Sequence, residues 1–234
     1  MDLSHITTII FDMDGTLIQH TWQLGQITRT LFNKFASQLE PVNHDEFFDT
    51  FWSRSEDLWY MMVDGGIDGN TVAKYSYFNT LRFFEKNTDL AEPMLAYWNK
   101  LVLDEAIPFE DTIRVLESLR EQYTTGILTN GFITLQRAKI KKYNLSTYVN
   151  FTLVSEETGY HKPDKRVFEE ALKLAGQASP DKTLYIGDNL VADIEGAQAA
   201  GLTPILMNPR DDLTPPAGIT KINKLSELLP LLQT

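Results

Sequence analysis

Two aspartates, Asp12 and Asp14, stand one residue apart where the apolar run TTIIF (7–11) ends and Gly15-Thr16 begins. Carboxylates this close repel each other, so the pair calls for a positive partner. Three other apolar runs end in groups of the same kind. Thr129, Asn130 and Gly131 close TTGILT (124–129); Glu156, Glu157, His161 and Lys162 follow NFTLVS (150–155); Asp188, Asn189 and then Asp193 follow TLYIG (183–187).

Hard oxygen donors in small number suit Mg²⁺, which takes one or two carboxylates and keeps several waters. Mg²⁺ would neutralise Asp12 and Asp188 and supply local positive charge for a phosphoryl group. Lys162 offers that group a compact charge. Thr129 offers a hydroxyl, and the Asn130-Gly131 turn offers backbone N–H groups. One carboxylate as nucleophile and a second as general acid/base complete a set for phosphoryl transfer through an aspartyl phosphate.

Such residues need a scaffold that brings four distant segments to one rim. The four runs and a fifth, TPILMN (203–208), are short, apolar and punctuated by polar residues or Gly, as buried parallel strands are. Helical patterns lie between them. DTIRVLESLREQY (111–123) spaces Ile113, Leu116 and Leu119 on one face, and DKRVFEEALKLAG (164–176) stops at Gly176. The alternation predicts an α/β fold with a Rossmann-like parallel sheet, whose ligands bind outside the carboxyl ends of the strands. Residues 18–104 differ: they hold no convincing strand, several amphipathic helical patterns and all four tryptophans, Trp22, Trp52, Trp59 and Trp98. The expected organisation is a core of residues 1–17 and 105–234 with a helical insertion at 18–104, hinged at 17–21 and at 103–110 around Pro108.

Composition narrows the function classes. The net charge of −11, with no dense basic run, disfavours nucleic acid. No apolar run approaches the ~20 residues that span a bilayer, and no signal peptide is evident. There is no cysteine, so disulfides and thiolate metal sites are excluded and the cytoplasm is the default location. An anionic small molecule remains as partner if positive charge is concentrated locally; nothing fixes an oligomeric state.

The loops DMDGT (12–16), TNG (129–131), KP (162–163) and GDNLVAD (187–193), each after a strand, resemble the haloacid dehalogenase-like (HAD) superfamily. The insertion falls where that superfamily places its first-type cap domain. The resemblance implies Asp12 as nucleophile and Asp14 as general acid/base. It implies Thr129 and the Asn130 backbone as phosphate binders, and Lys162 as the lysine steadying nucleophile and phosphate. It further implies metal binding by Asp12, Asp188 and the Asp14 backbone carbonyl, with Asp193 supporting through a metal-bound water or by holding Lys162. Members that cleave carbon–halogen bonds typically lack the second acid, so Asp14 favours a phosphatase. ILTNGFITLQRAKI (127–140) further resembles bacterial nucleoside 5′-monophosphatases and N-acylneuraminate 9-phosphatases.

The expectation is therefore a Mg²⁺-dependent phosphatase acting on a small phosphorylated metabolite, a nucleoside 5′-monophosphate or a sugar phosphate. The alternatives are a phosphomutase of the same superfamily and a non-catalytic binding module on this fold. His20 and His161 read as structural or exposed, Glu156 and Glu157 as solvated loop charges, and most insertion aromatics as bundle core, with Trp52 or Trp59 as a substrate contact.

Overall fold

The computed structural model of the chain describes residues 2–19, 24–63 and 67–233, and at positions 56, 57 and 59–63 the backbone alone. His20, Trp22, part of the 17–21 hinge and the Trp59 side chain lie outside the described residues. In chain order the elements are β1 (Thr8–Phe11), α1 (Leu24–Leu39), α2 (His44–Val63), α3 (Gly69–Phe83), α4 (Ala91–Glu105), α5 (Thr112–Arg120), β2 (Thr124–Thr129), α6 (Ile133–Lys142), β3 (Phe151–Val154), α7 (Lys165–Leu174), β4 (Thr183–Gly187), α8 (Gly196–Ala199), β5 (Thr203–Met207), β6 (Thr220–Ile222) and α9 (Leu228–Leu231). A π-helical turn, Leu190–Glu195, runs into α8.

Two compact units result: Met1–His20 with Ile107–Gly131 and Gln136–Thr234, and Thr21–Ala106 with Phe132–Leu135. The first unit carries the sheet, ordered β3-β2-β1-β4-β5-β6. Every neighbouring pair is parallel. β1 and β4 are buried along their whole length, which is why both read as unbroken apolar runs rather than alternating ones. β6 was not foreseen: TKI is three residues long, with lysine at its centre, and pairs only with β5 at the sheet edge.

α7 shows how sequence sets packing in this unit. Val167, Phe168, Ala171 and Leu172 form its buried stripe and join Ile10, Leu128, Leu153 and Tyr185 of the strands in one core. Asp164 caps its start by accepting from the Arg166 N–H. α8 approaches closely because position 196 is glycine: a Cβ there would lie 2.9 Å from both Phe168 Cε2 and Pro163 Cα. The chain leaves and re-enters this unit along paired segments, with Gln19 N–H donating to Ile107 O (2.8 Å) and Phe109 N–H to Leu17 O (3.1 Å).

The second unit is helical, with no strand among its described residues. α2 opens on a reciprocal cap: Glu46 N–H donates to Asn43 Oδ1 (3.0 Å) and Asn43 N–H to Glu46 Oε2 (3.2 Å). Leu31, Phe35, Phe47, Phe51, Tyr77, Leu81 and Met94 form its core, so most of the aromatics do pack the bundle, while Trp52 is 48% exposed. Phe132 joins this unit because Gly69 makes room for its ring; a Cβ at Gly69 would overlap Phe132 Cδ1 at 1.9 Å. No described helix is long and apolar enough to cross a membrane.

Candidate active site

The site lies in the sheet-bearing unit, beyond the carboxyl ends of β1, β2 and β4. β1 hands over to Asp12, which is 5% exposed. Its Oδ1 accepts from Lys162 Nζ at 2.6 Å. The same ammonium donates to Asp193 Oδ1 (2.6 Å) and to the Tyr185 hydroxyl (2.9 Å), so its three protons are all used. Tyr185 in turn donates to Leu128 O at 3.1 Å, tying β4 to β2 beneath the site. The second Asp193 oxygen accepts from Asn189 N–H (3.0 Å), which fixes the loop after β4. Asp193 thus holds Lys162, one of the two supporting roles open to it.

Asn130 locks the second loop to the third. Its Nδ2 donates to Lys162 O (3.0 Å) and its Oδ1 accepts from Lys162 N–H (2.9 Å). Thr129 Oγ1, buried at the end of β2, accepts from Gln136 Nε2 at 2.6 Å. That amide nitrogen also lies 2.8 Å from Asp14 Oδ2 and 3.0 Å from Asn130 O. Asp14 is held further by Lys139, whose Nζ is 2.8 Å from each carboxylate oxygen.

Gln136, Lys139 and Tyr185 were not singled out from sequence. Gln136 and Lys139 are three residues apart on α6, hence on one helix face, and both are buried. A polar pair on the buried face of a helix directly following TNG was the available signal. For Tyr185 the signal was a phenol inside a fully buried strand, which needs a partner for its hydroxyl.

The Asp12, Asp188 and Asp193 carboxylates lie within 4.8 Å of one another. Two glycines permit this approach. A Cβ at Gly15, where φ is +89°, would sit 2.1 Å from Asp188 Oδ2. A Cβ at Gly187 would sit 2.4 Å from Asp193 Cβ. The cluster thus draws in Asp193, while the Asp14 carboxylate is engaged by Gln136 and Lys139.

The charges are under-compensated. Burial, reinforced by Asp193 and Asp188, lifts the Asp12 pKa well above the usual carboxylate range despite Lys162. Burial first, and Asp193 second, push Asp188 up to about 7. Burial works against the Lys162 charge, but Asp12 and Asp193 outweigh it and raise its pKa. Two buried carboxylates and the half-buried Asp188 near one ammonium leave room in charge for a small divalent cation with oxygen preference, so the donor set fits Mg²⁺. Asp12 and Asp188 would hold it.

His161 is partly buried, with its Nδ1 2.8 Å from Ser155 Oγ. Glu157 is not the solvated charge expected. It takes two hydrogen bonds from the Arg137 guanidinium (2.6 and 2.8 Å) and one from Val154 N–H (3.1 Å), bracing β3 against α6.

Comparison with known proteins agrees with this architecture. The chain is 31% identical to the pyrimidine 5′-nucleotidase YjjG of Escherichia coli, covering 94% of this chain and 96% of that protein. It is 29% identical to the human N-acylneuraminate-9-phosphatase over 100% of this chain and 96% of that one. Among solved structures, the magnesium-bound HAD-hydrolase YfnB of Bacillus subtilis superposes with a TM-score of 0.70 at 27% identity, covering 98% and 99% of the two chains. The pattern of the haloacid dehalogenase-like hydrolases matches residues 6–201, and the chain belongs to that family.

Proposed function

We propose that this hydrolase is a Mg²⁺-dependent phosphomonoesterase working through a phosphorylated Asp12. The observation that carries the reading is the division of labour between the two aspartates of the first loop. Asp12 lies in the buried acidic cluster with Lys162 on one oxygen. Asp14, two residues on, is held apart by Lys139 and Gln136, whose amide also holds the Thr129 hydroxyl.

In this reading the second Asp12 oxygen attacks phosphorus. The ester P–O bond breaks, and the leaving oxygen takes a proton from Asp14. A water then attacks the aspartyl phosphate and gives its proton to Asp14, releasing phosphate and restoring Asp12. Thr129 Oγ1 and the Asn130 backbone bind the phosphoryl oxygens, and Lys162 steadies both Asp12 and the transferred group. Bound Mg²⁺ supplies charge neutralisation for the nucleophile and the phosphate.

The relatives' names favour a small phosphorylated metabolite, a nucleotide or a phosphorylated sugar acid. We assign residues 21–106 as a cap that admits substrate and excludes water, moving on the paired segments at Leu17–Gln19 and Ile107–Phe109. The solved YfnB structure is described as revealing interdomain movement. A screen of free phosphate release over nucleotides, sugar phosphates and N-acylneuraminate 9-phosphate, with and without Mg²⁺, tests the reading. Free phosphate released only with the metal is expected. An isomerised ester with little free phosphate would identify a mutase, and no turnover of any ester would refute the assignment.

A further inference from the structure

The amide nitrogen of Gln136 sits among three oxygens: Thr129 Oγ1 at 2.6 Å, Asp14 Oδ2 at 2.8 Å and Asn130 O at 3.0 Å. A carbonyl and an ionised carboxylate can only accept, so this side of the amide must be the N–H side. The side chain is 2% exposed, which shields the contacts from solvent. Gly131 admits it: φ there is +134°, and a Cβ would lie 3.1 Å from Gln136 Cγ and Cδ. All these residues belong to the sheet-bearing unit.

Counting hydrogens and lone pairs gives the contacts a direction. Nε2 carries two hydrogens, and its two nearest acceptors are Thr129 Oγ1 and Asp14 Oδ2. The Thr129 hydroxyl is thereby an acceptor toward Gln136. For its own hydrogen it has one acceptor among the described residues, Asn130 O at 3.2 Å, beyond the range of a good O–H···O bond. That hydrogen is free to turn to a phosphoryl oxygen.

On Asp14 the two oxygens are not equivalent. Lys139 lies 2.8 Å from each and does not distinguish them. Gln136 does, because it donates to Oδ2 alone. With two lone pairs per oxygen, Oδ2 is filled by two donors, while Oδ1 keeps one lone pair for a proton.

We propose that Gln136 is a positioning residue that sets two working groups in register, turning the Thr129 hydroxyl toward phosphate and reserving Asp14 Oδ1 for the transferred proton. The inference rests on the phosphatase reading and adds to it. The phosphorus whose oxygens Thr129 binds and the ester oxygen that Asp14 protonates are joined by the bond that breaks. One amide bonded to both holders fixes their spacing before substrate arrives. As an Asp12 oxygen bonds phosphorus and the ester P–O bond breaks, the proton on Oδ1 passes to the leaving oxygen.

The test uses the intact Mg²⁺-loaded protein and two kinds of ester. One is whichever nucleotide or sugar phosphate is turned over fastest; all of these release an alkoxide, which needs a proton. The other is p-nitrophenyl phosphate, whose phenolate leaves without one. The readout is kcat/KM, which extends only to departure of the leaving group. Gln136→Met keeps the chain length and removes the donor; Gln136→Glu is nearly isosteric and turns the donor into an acceptor. Loss of the Thr129 orientation should lower kcat/KM several-fold on both esters. Misplacement of the acid should lower the alkyl ester by a further factor of about ten or more, so the ratio of alkyl to p-nitrophenyl ester falls by that factor. A folded variant that loses both esters equally shows that Gln136 only holds the loop, and one that changes neither shows that it does nothing; both results overturn the inference while the phosphatase reading stands. Absence of turnover of every ester by the wild type refutes the phosphatase reading and the inference with it.

Discussion

Lys139 grips Asp14 with its ammonium 2.8 Å from each carboxylate oxygen, although 125 residues separate the two in sequence. The lysine side chain is 7% exposed and that of Asp14 26%. The carboxylate is therefore oriented by the protein yet still reached by solvent, as the proposed exchange of protons with substrate and water requires.

Lys139→Met should remove this orientation while keeping the apolar stem. A partly open pair of this kind contributes about 1–2 kcal/mol, between exposed and buried cases. Thermal unfolding of Lys139→Met, Asp14→Asn and the double variant should reveal coupling of that size, and turnover of Lys139→Met should fall. Strict additivity of the two single changes would show that the contact contributes nothing in solution.

Asp12→Asn should abolish turnover, by roughly a thousandfold or more, with the fold retained. The amide is nearly isosteric but a poor nucleophile, and it removes one charge from the acidic cluster. Phosphate release at wild-type rates by the folded variant would rule out Asp12 as the phosphorylated residue.

Mg²⁺ binding should be linked to pH. In the metal-free protein the Asp188 pKa rises from 3.8 to about 7, chiefly through burial, and Asp12 rises as well. Between those values the folded state holds protons that the unfolded state has lost, so the stability these groups contribute is full below that window. It declines as pH rises through it. Mg²⁺ must displace the same protons. Saturating Mg²⁺ should therefore raise Tm little at about pH 5 and more at about pH 8. An equal or larger rise at the lower pH would contradict the linkage.

Gly15→Ala should damage the site and the fold together. The position has φ of +89°, and the new Cβ would overlap Asp188 Oδ2 at 2.1 Å. A left-handed conformation costs an L-residue about 1–2 kcal/mol before any collision. Lower Tm, weaker Mg²⁺ stabilisation and loss of turnover are expected. A variant with unchanged Mg²⁺ stabilisation would mean that Asp188 does not need its place against Gly15.

The limits of sequence reading here follow from what a residue's neighbours in the chain reveal. Buried parallel strands announce themselves as apolar runs, so β1 to β5 were visible, and with them the loops holding Asp12, Thr129, Lys162 and Asp188. β6 was too short and too polar to register. Gln136, Lys139 and Glu157 act through contacts set by which face α6 buries, and Tyr185 through a neighbour two strands away. The local pattern hints at each of these residues but does not name its partner. The assignment of Phe132–Leu135 to the helical unit was hidden for the same reason, because it depends on Gly69 and Asn70, far upstream.

The strand order has a consequence for synthesis of the chain. β1 is made first but occupies the middle of the sheet, and its partner β4 begins at Thr183. Asp12 therefore waits on the ribosome for residues more than 150 positions downstream, while the helical segment 21–106 has its sequence-local partners at once. Such long-range pairing forms slowly and leaves sheet edges open until the last strands arrive. The nascent chain accordingly has no working acidic cluster until β4 docks. The enzyme is silent for most of its own translation.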